Sequence, residues 1–202
     1  MKISIIDIRI GNLRSVQKAF AAVGAEVELV SDPVGILAAD KLVLPGVGAF
    51  GAGMTALQSR GLVAPIQEAV SRGIPLLGIC LGMQLLFATS EEMGTHQGLN
   101  LLTGRVVRFP EMGLVVPHMG WNELEPVGAH PLLDQVPAGA HAYFVHSYYC
   151  APDDSAIVTA WTEYGQPVPA IVARDQVFGI QFHPEKSQHV GLQIMQNYVN
   201  LT

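Results

Sequence analysis

Two short stretches carry side chains that packing alone does not call for: "GICLG" at Gly78–Gly82 and "HPE" at His183–Glu185. Cys80 lies between two glycines, after the apolar run "IPLLGI" and before "LGMQLLFATSEE". That order reads as a strand running into a helix, with the cysteine on the sharp turn between them. A residue wedged there is set up for strained dihedrals, and Gly78 and Gly82 leave room for a substrate to approach. A helix starting at Leu81 would aim its N-terminus at the sulfur and favour the thiolate. Taken alone, G-x-C-x-G fits a buried cysteine in a core turn equally well.

"HPE" adds what a thiol nucleophile needs. Residues two apart in an extended segment face the same way, so His183 and Glu185 can project together. Pro184 fixes its own φ and biases His183 away from helix. A histidine can take and return the thiol proton while a carboxylate holds its ring. "PGVG", Pro45–Gly48, answers a third need: backbone N–H groups aimed at a developing oxyanion, with Gly46 and Gly48 permitting unusual backbone directions. On its own, each stretch also reads as an ordinary surface turn or strand end.

The elements that must bring these pieces together alternate. "KISIID" is a buried strand, and "NLRSVQKAFAAVG" a helix with Asn12 as its cap and Gly24 as its stop. "AEVELV" and "KLVLPG" are further strands, and "MTALQSRGLVAPIQEAVSRG" is helical with a break near Gly61. "IPLLGI" follows as a strand and "LGMQLLFATSEE" as a helix. Strand and helix in turn imply an open, mostly parallel sheet with helices on both faces, whose ligands gather at the carboxyl ends of the strands. From Gly94 the chain turns to short strands, "GRVVRF", "AYFVHSYYC", "SAIVTAW", "PAIVAR" and "VFGIQFH", which read as added antiparallel strands rather than a second domain. "HVGLQIMQNYVNL" is a closing amphipathic helix. The fold class is α/β with a mixed sheet, and residues 1–202 read as one domain.

Half of the 202 residues are apolar, enough for a sizeable core. Net charge is -6 with no cluster of Lys and Arg, which argues against nucleic acid. Mean hydropathy is +0.34, yet no window reaches the ~18 uncharged apolar residues of a spanning helix. A soluble, cytoplasmic protein is the expectation. The two cysteines and seven scattered histidines show no metal-ligand spacing.

Together, "PGVGAFG", "GICLGMQLLF" and "FGIQFHPEKS" resemble the class I (triad-type) glutamine amidotransferases, in the expected order along the whole chain. "GNLRSV", "PHMGWN" and "YFVHSYY" are similar to the branch that feeds an imidazole-forming cyclase in histidine biosynthesis. The resemblance implies Cys80 as nucleophile, His183 as general base and then acid, and Glu185 as its orienting carboxylate. It implies oxyanion donors at the Leu81 N–H and in the Gly46–Val47–Gly48 turn, and glutamine held by the Gly48 backbone, Gln84, Ser147 and Tyr148. Glutamine becomes glutamate and ammonia through a cysteinyl thioester, with no cofactor and no metal.

The resemblance further implies a separate (β/α)8-barrel cyclase partner, since such a barrel needs about 250 residues of its own. Met119, Trp121, Asn122 and Lys186 are the interface candidates, and Cys150 reads as packing. Val47, β-branched in the oxyanion turn, resists unusual dihedrals, so activity without the partner is expected to be low. Where the family usually reads D-Y-G, this chain has "DIRIGNL", with Ile8 and Arg9 in place of an aromatic and a glycine. Two other readings stay open: ammonia supply to another synthase, such as that for pyridoxal phosphate, and a non-catalytic scaffold subunit of the same fold.

Overall fold

The protein is described by a computed structural model covering residues 2–111 and 113–201. Its first half alternates as β1 (Lys2–Ile6), α1 (Leu13–Ala22), β2 (Glu26–Val30), α2 (Pro33–Leu37), β3 (Lys41–Gly46), α3 (Phe50–Ser59), α4 (Val63–Ser71), β4 (Leu76–Cys80) and α5 (Leu81–Leu85). Then come β5 (Phe87–Ser90), β6 (His96–Gln97), β7 (Leu102–Arg108), β8 (His118–Glu123) and β9 (Glu125–Pro126). β10 (His141–His146), β11 (Tyr148–Pro152), β12 (Val158–Glu163), β13 (Pro167–Arg174), β14 (Val177–Ile180) and α6 (Gln188–Asn200) complete the order.

The main sheet runs β2-β1-β3-β4-β14-β13-β12-β9. The pairs from β2 to β14 are parallel, and those from β14 to β9 antiparallel. The mixed α/β sheet expected from the sequence is therefore present. Not all the added strands join it: β11-β7-β5-β6 form a second sheet and β10-β8 a separate pair. β3, β4 and β14 are buried along their whole length, as parallel strands covered on both faces must be. Alternate residues supply the two cores. Leu42, Leu44 and Leu76 pack with α3, α4 and α5, while Val43, Leu77 and Ile79 pack with α1 and α6.

Local signals act as their chemistry dictates. The Asn12 side chain accepts from the Ser15 N–H at 3.3 Å and caps α1, a contact of about 1 kcal/mol. The break between α3 and α4 falls at Gly61, which takes φ +65°. The helix expected over residues 81–92 is cut short, however. The carbonyls of Leu85 and Leu86 accept N–H groups from Leu99, Leu101 and Leu102, and Phe87–Ser90 pairs with β7 as a strand. A distant segment thus captures the hydrogen bonds that would have extended the helix, and the aromatic and threonine in "FATS" suit a strand.

A buried lysine locks the far end of the sheet. Lys41 Nζ donates to the carbonyls of Tyr198 and Val199, both at 2.9 Å, and to that of Leu201. It thereby serves the otherwise unpaired last carbonyls of α6 and complements the negative end of that helix. Burial pulls its pKa below the ordinary lysine value. The Tyr198 hydroxyl donates to the carbonyls of Leu42 and Pro75 at the starts of β3 and β4. Lys41→Met should lower unfolding stability by about 2 kcal/mol, because buried carbonyls lose their donor. A lower urea midpoint at unchanged slope is the expected reading.

Candidate active site

Cys80 is the last residue of β4 and the cap of α5, with φ 55° and ψ -110°. That backbone is strained for a residue with a side chain, as the elbow reading requires. The flanking glycines have a different task from the one expected. A Cβ on Gly82 would lie 1.7 Å from the Leu44 carbonyl oxygen, and one on Gly78 would lie 2.6 Å from the Gly82 backbone. They let α5 rest directly on the backbones of β3 and β4, rather than clearing space for a substrate. Every residue of α5 is buried as a result.

His183 and Glu185 follow β14, the strand beside β4. His183 is extended at φ -96° and ψ 96°, and its N–H donates to the Tyr143 carbonyl at 2.9 Å. Pro184–Lys186 then forms a short 3-10 turn, so the carboxylate reaches the ring through a turn and not along a strand face. Proline at the first position of that turn is pre-set for helical φ. His183 Nδ1 and Glu185 Oε1 are 2.8 Å apart, with side chains only 5% and 3% exposed. Burial pushes the imidazole pKa down, but hydrogen bonds to the Cys80 and Glu185 side chains and their negative charges outweigh it, leaving the pKa raised to about 9. The ring thus lies between a sulfur and a carboxylate that both favour its charged form.

β3 pairs with β4 so that Gly46 lies opposite Cys80, which sets the turn beyond Gly46 beside the sulfur. The left-handed residue of this turn is Gly48 at φ +101°, while Val47 is 41% exposed. Gly11 backs the turn: a Cβ there would stand 3.5 Å from Gly46 Cα. A cavity of about 320 Å³ opens in front, lined by Val47, Gly48, Cys80, Leu81, Gln84, Ser147, Tyr148 and His183, all expected from the sequence. A larger groove of about 880 Å³ between Pro131–Leu133 and α6 contains none of these residues and lies away from the chemistry.

Gln84 is tied differently from expectation. Its Nε2 donates to the Tyr148 carbonyl at 3.0 Å and to Gln181 Oε1 at 3.2 Å, so its nitrogen serves the wall of the cavity. Gln181 in turn lies with Nε2 3.9 Å from Cys80 Sγ. Sequence reasoning missed four lining residues, Glu92, Pro117, Val145 and His146. Glu92 Oε2 accepts from the Phe50 N–H, which opens α3, at 2.6 Å. "EE" after "FATS" reads as the polar side of a helix; only the turn into β5 brings Glu92 back over the cavity.

The surface candidates divide. Residues of β8 alternate, leaving Met119 at 61% and Trp121 at 47% exposed. Asn122 faces inward, where Nδ2 donates to the Glu163 carbonyl at 2.7 Å. Lys186 Nζ stands 5.6 Å from the ring centre of Tyr143, the cross-strand neighbour of Trp121.

A model of the class-I glutamine amidotransferases matches residues 4–200. The chain belongs to that family. Among relatives of this amidotransferase, the imidazole glycerol phosphate synthase subunit HisH of Salinibacter ruber is 51% identical over 204 residues, covering 98% of this chain and 94% of that one. The HisH subunit of Syntrophotalea carbinolica is 53% identical over 202 residues, covering 97% and 98%. Solved structures share the fold at lower identity. A glutamine amidotransferase matches with TM-score 0.76 at 20% identity over 98% of both chains. The structure of PurLQS from Thermotoga maritima matches with TM-score 0.72 at 19% identity, over 98% of this chain and 97% of that one.

Two further details concern the turn before α1 and the wall behind the cavity. Arg9, where the family usually has glycine, takes φ 60°, and its N–H donates to Asp7 Oδ1 at 2.7 Å. The tight turn survives with a bulky residue in a left-handed backbone, stabilised by the neighbouring carboxylate. Behind the cavity, His118 Nδ1 and His146 Nε2 are 3.1 Å apart. Burial lowers the His118 pKa to about 4. Burial, with the nearby His118 and His183 charges, lowers that of His146 to about 3 despite its bond to the Tyr148 carbonyl.

Groups with depressed folded-state pKa values contribute stability that is complete above the unfolded histidine value of about 6.5. That contribution is lost as pH falls toward 4 and then 3. Thermal unfolding across pH 7 to 4 should therefore show a falling Tm, and His118→Phe should flatten that fall.

Proposed function

We propose that the chain is the glutaminase subunit of an imidazole glycerol phosphate synthase, acting through Cys80, His183 and Glu185. The observation that carries this reading is the buried His183–Glu185 pair, 2.8 Å apart, whose histidine lines with Cys80 one cavity of amino-acid size. His183 first takes the Cys80 thiol proton as a base and later returns it as an acid. The Cys80 thiolate adds to the side-chain amide carbon of glutamine, and the carbonyl oxygen becomes an oxyanion. The Leu81 N–H and an N–H of the Gly46–Val47–Gly48 turn receive that charge. His183 gives its proton to the amide nitrogen, the C–N bond breaks, and ammonia leaves a thioester behind. Neutral His183 then takes a proton from water, the hydroxide adds to the thioester carbon, and glutamate departs with the thiolate restored. Glu185 keeps the ring oriented and stabilises its charge throughout.

The substrate's amino-acid end falls to the Gly48 backbone, the Gln84 side-chain oxygen, Ser147 and Tyr148. Glu92 joins them as the carboxylate best placed to receive the α-ammonium group. The partner is a (β/α)8-barrel cyclase, which consumes ammonia before water protonates it. Met119, Trp121 and Lys186 form the contact surface, with Asn122 holding their strand from within. Val47 disfavours the peptide orientation that the oxyanion needs, so the chain alone is a weak enzyme. Cytoplasmic residence and a single domain over 1–202 complete the proposal, consistent with a family match that runs nearly end to end.

The test is glutamate release from glutamine by the chain alone, then with the cyclase and its nucleotide substrate. Low activity should rise steeply in the complex and vanish in Cys80→Ala. Glu92→Gln should raise KM about tenfold with kcat little changed, as loss of a charge-assisted contact made equally in ground and transition states. Fast turnover by the chain alone would remove the gating by Val47. Stimulation only by a pyridoxal phosphate synthase partner would reassign the pathway. No activity under any condition would favour the scaffold reading.

A further inference from the structure

The buried pair His118–His146 lies outside the triad, yet one hydrogen-bonded path joins it to the cavity wall. The path starts at Asn122, whose orientation its backbone neighbours fix. Oδ1 accepts from the Glu123 N–H at 2.9 Å, and Nδ2 donates to the Glu163 carbonyl at 2.7 Å. Reversing the amide would set oxygen against oxygen and nitrogen against N–H. The remaining Nδ2 hydrogen points to His118 Nε2 at 3.2 Å, which must accept it. A neutral His118 then carries its proton on Nδ1 and donates to His146 Nε2 at 3.1 Å. His146 is left with its proton on Nδ1, facing the Tyr148 carbonyl at 2.9 Å. That carbonyl also accepts the Gln84 amide at 3.0 Å.

Every link runs in one direction, and the rings are not free to turn. His118 is stacked between Tyr164 and Phe144, with ring centres at 4.0 and 4.9 Å. His146 packs against Phe109 at 5.3 Å. Both rings are held neutral by burial, which is the state the single proton order requires.

We propose that His118 and His146 are positioning residues for the amino-acid end of the cavity: they fix the Tyr148 carbonyl and, through it, the Gln84 amide. This rests on the glutaminase reading above. A flipped His146 ring would turn a C–H to the Tyr148 carbonyl, leaving that carbonyl free to move away from Gln84. The pair acts on how the substrate is gripped and not on how the thiol reacts.

Two alkylating agents separate these effects. Iodoacetamide needs only the Cys80 sulfur, whereas 6-diazo-5-oxo-L-norleucine must also be held by its amino-acid end. In His146→Phe the norleucine reagent should label Cys80 about tenfold more slowly, the size expected for one lost buried hydrogen bond. His118→Phe, one link further away, should slow it about threefold. Iodoacetamide labelling should stay within about twofold of wild type in both, which also reports an intact fold. His146→Asn places an amide N–H where His146 Nδ1 stands and should restore most of the lost rate. Unchanged norleucine labelling in both phenylalanine variants would overturn the proposal. So would equal slowing of both reagents, or no rescue by asparagine. If the norleucine reagent shows no advantage over iodoacetamide on the wild-type chain, the glutaminase reading itself falls, whatever the variants do.

Discussion

The contact on which the site depends is between backbones: Gly82 of α5 against the Leu44 carbonyl, and Gly78 of β4 against Gly82. No side chain separates helix from sheet at this point, and a single methyl group would drive them apart. Because α5 starts so close to β4, the chain has one residue in which to turn from strand to helix. That residue is Cys80, and its φ of 55° is the result. The parallel order then sets the turn after β3 on one side of the sulfur and the segment after β14 on the other. Three chain segments far apart in sequence converge there because three adjacent parallel strands end together.

Electrostatic surroundings then assign opposite states to similar rings. His183 is buried, yet it sits between Cys80 and Glu185 and holds its proton up to about pH 9. His146 is buried as well, but its neighbours are another histidine, aromatic rings and a carbonyl, and it stays neutral down to about pH 3. The positive charge on His183 is one reason that His146 refuses a proton. Two titratable groups with environments that push their pKa values apart can perform distinct tasks in one site. Here one ring can transfer protons while the other gives a fixed hydrogen-bond donor.

Much of this is legible in the residues. Periodicity locates β1 through β4 and α1, and Asn12 and Gly24 mark the ends of α1 because capping chemistry is local. The elbow and the His-Pro-Glu turn are visible because few other arrangements use those residue types together. What escapes depends on contacts across long separations. Nothing local in "LGMQLLFATSEE" says that Leu99–Leu102 will take the helix's last carbonyls, so Glu92 looks like a solvent-facing charge. "PHMGWN" reads as one block, but the two-residue repeat of β8 turns Asn122 inward and leaves Met119 and Trp121 outward. Likewise His118 and His146 meet only because β8 and β10 pair in a register that sets them opposite each other.

The position of β14 has a consequence for how the molecule is made. It lies in the middle of the main sheet, between β4 and β13, although it is drawn from residues 177–180. Lys41 likewise waits for carbonyls at residues 198–201. During synthesis, β1 to β4 emerge early and must hold an open, apolar edge along β4 until residues 177–180 have been released. Pairing across such separations is slow, and an uncovered edge is prone to join the wrong neighbour. The segment from β14 to α6 therefore closes the sheet and completes the candidate site in the same step, so a ribosome-bound fragment that lacks it has neither.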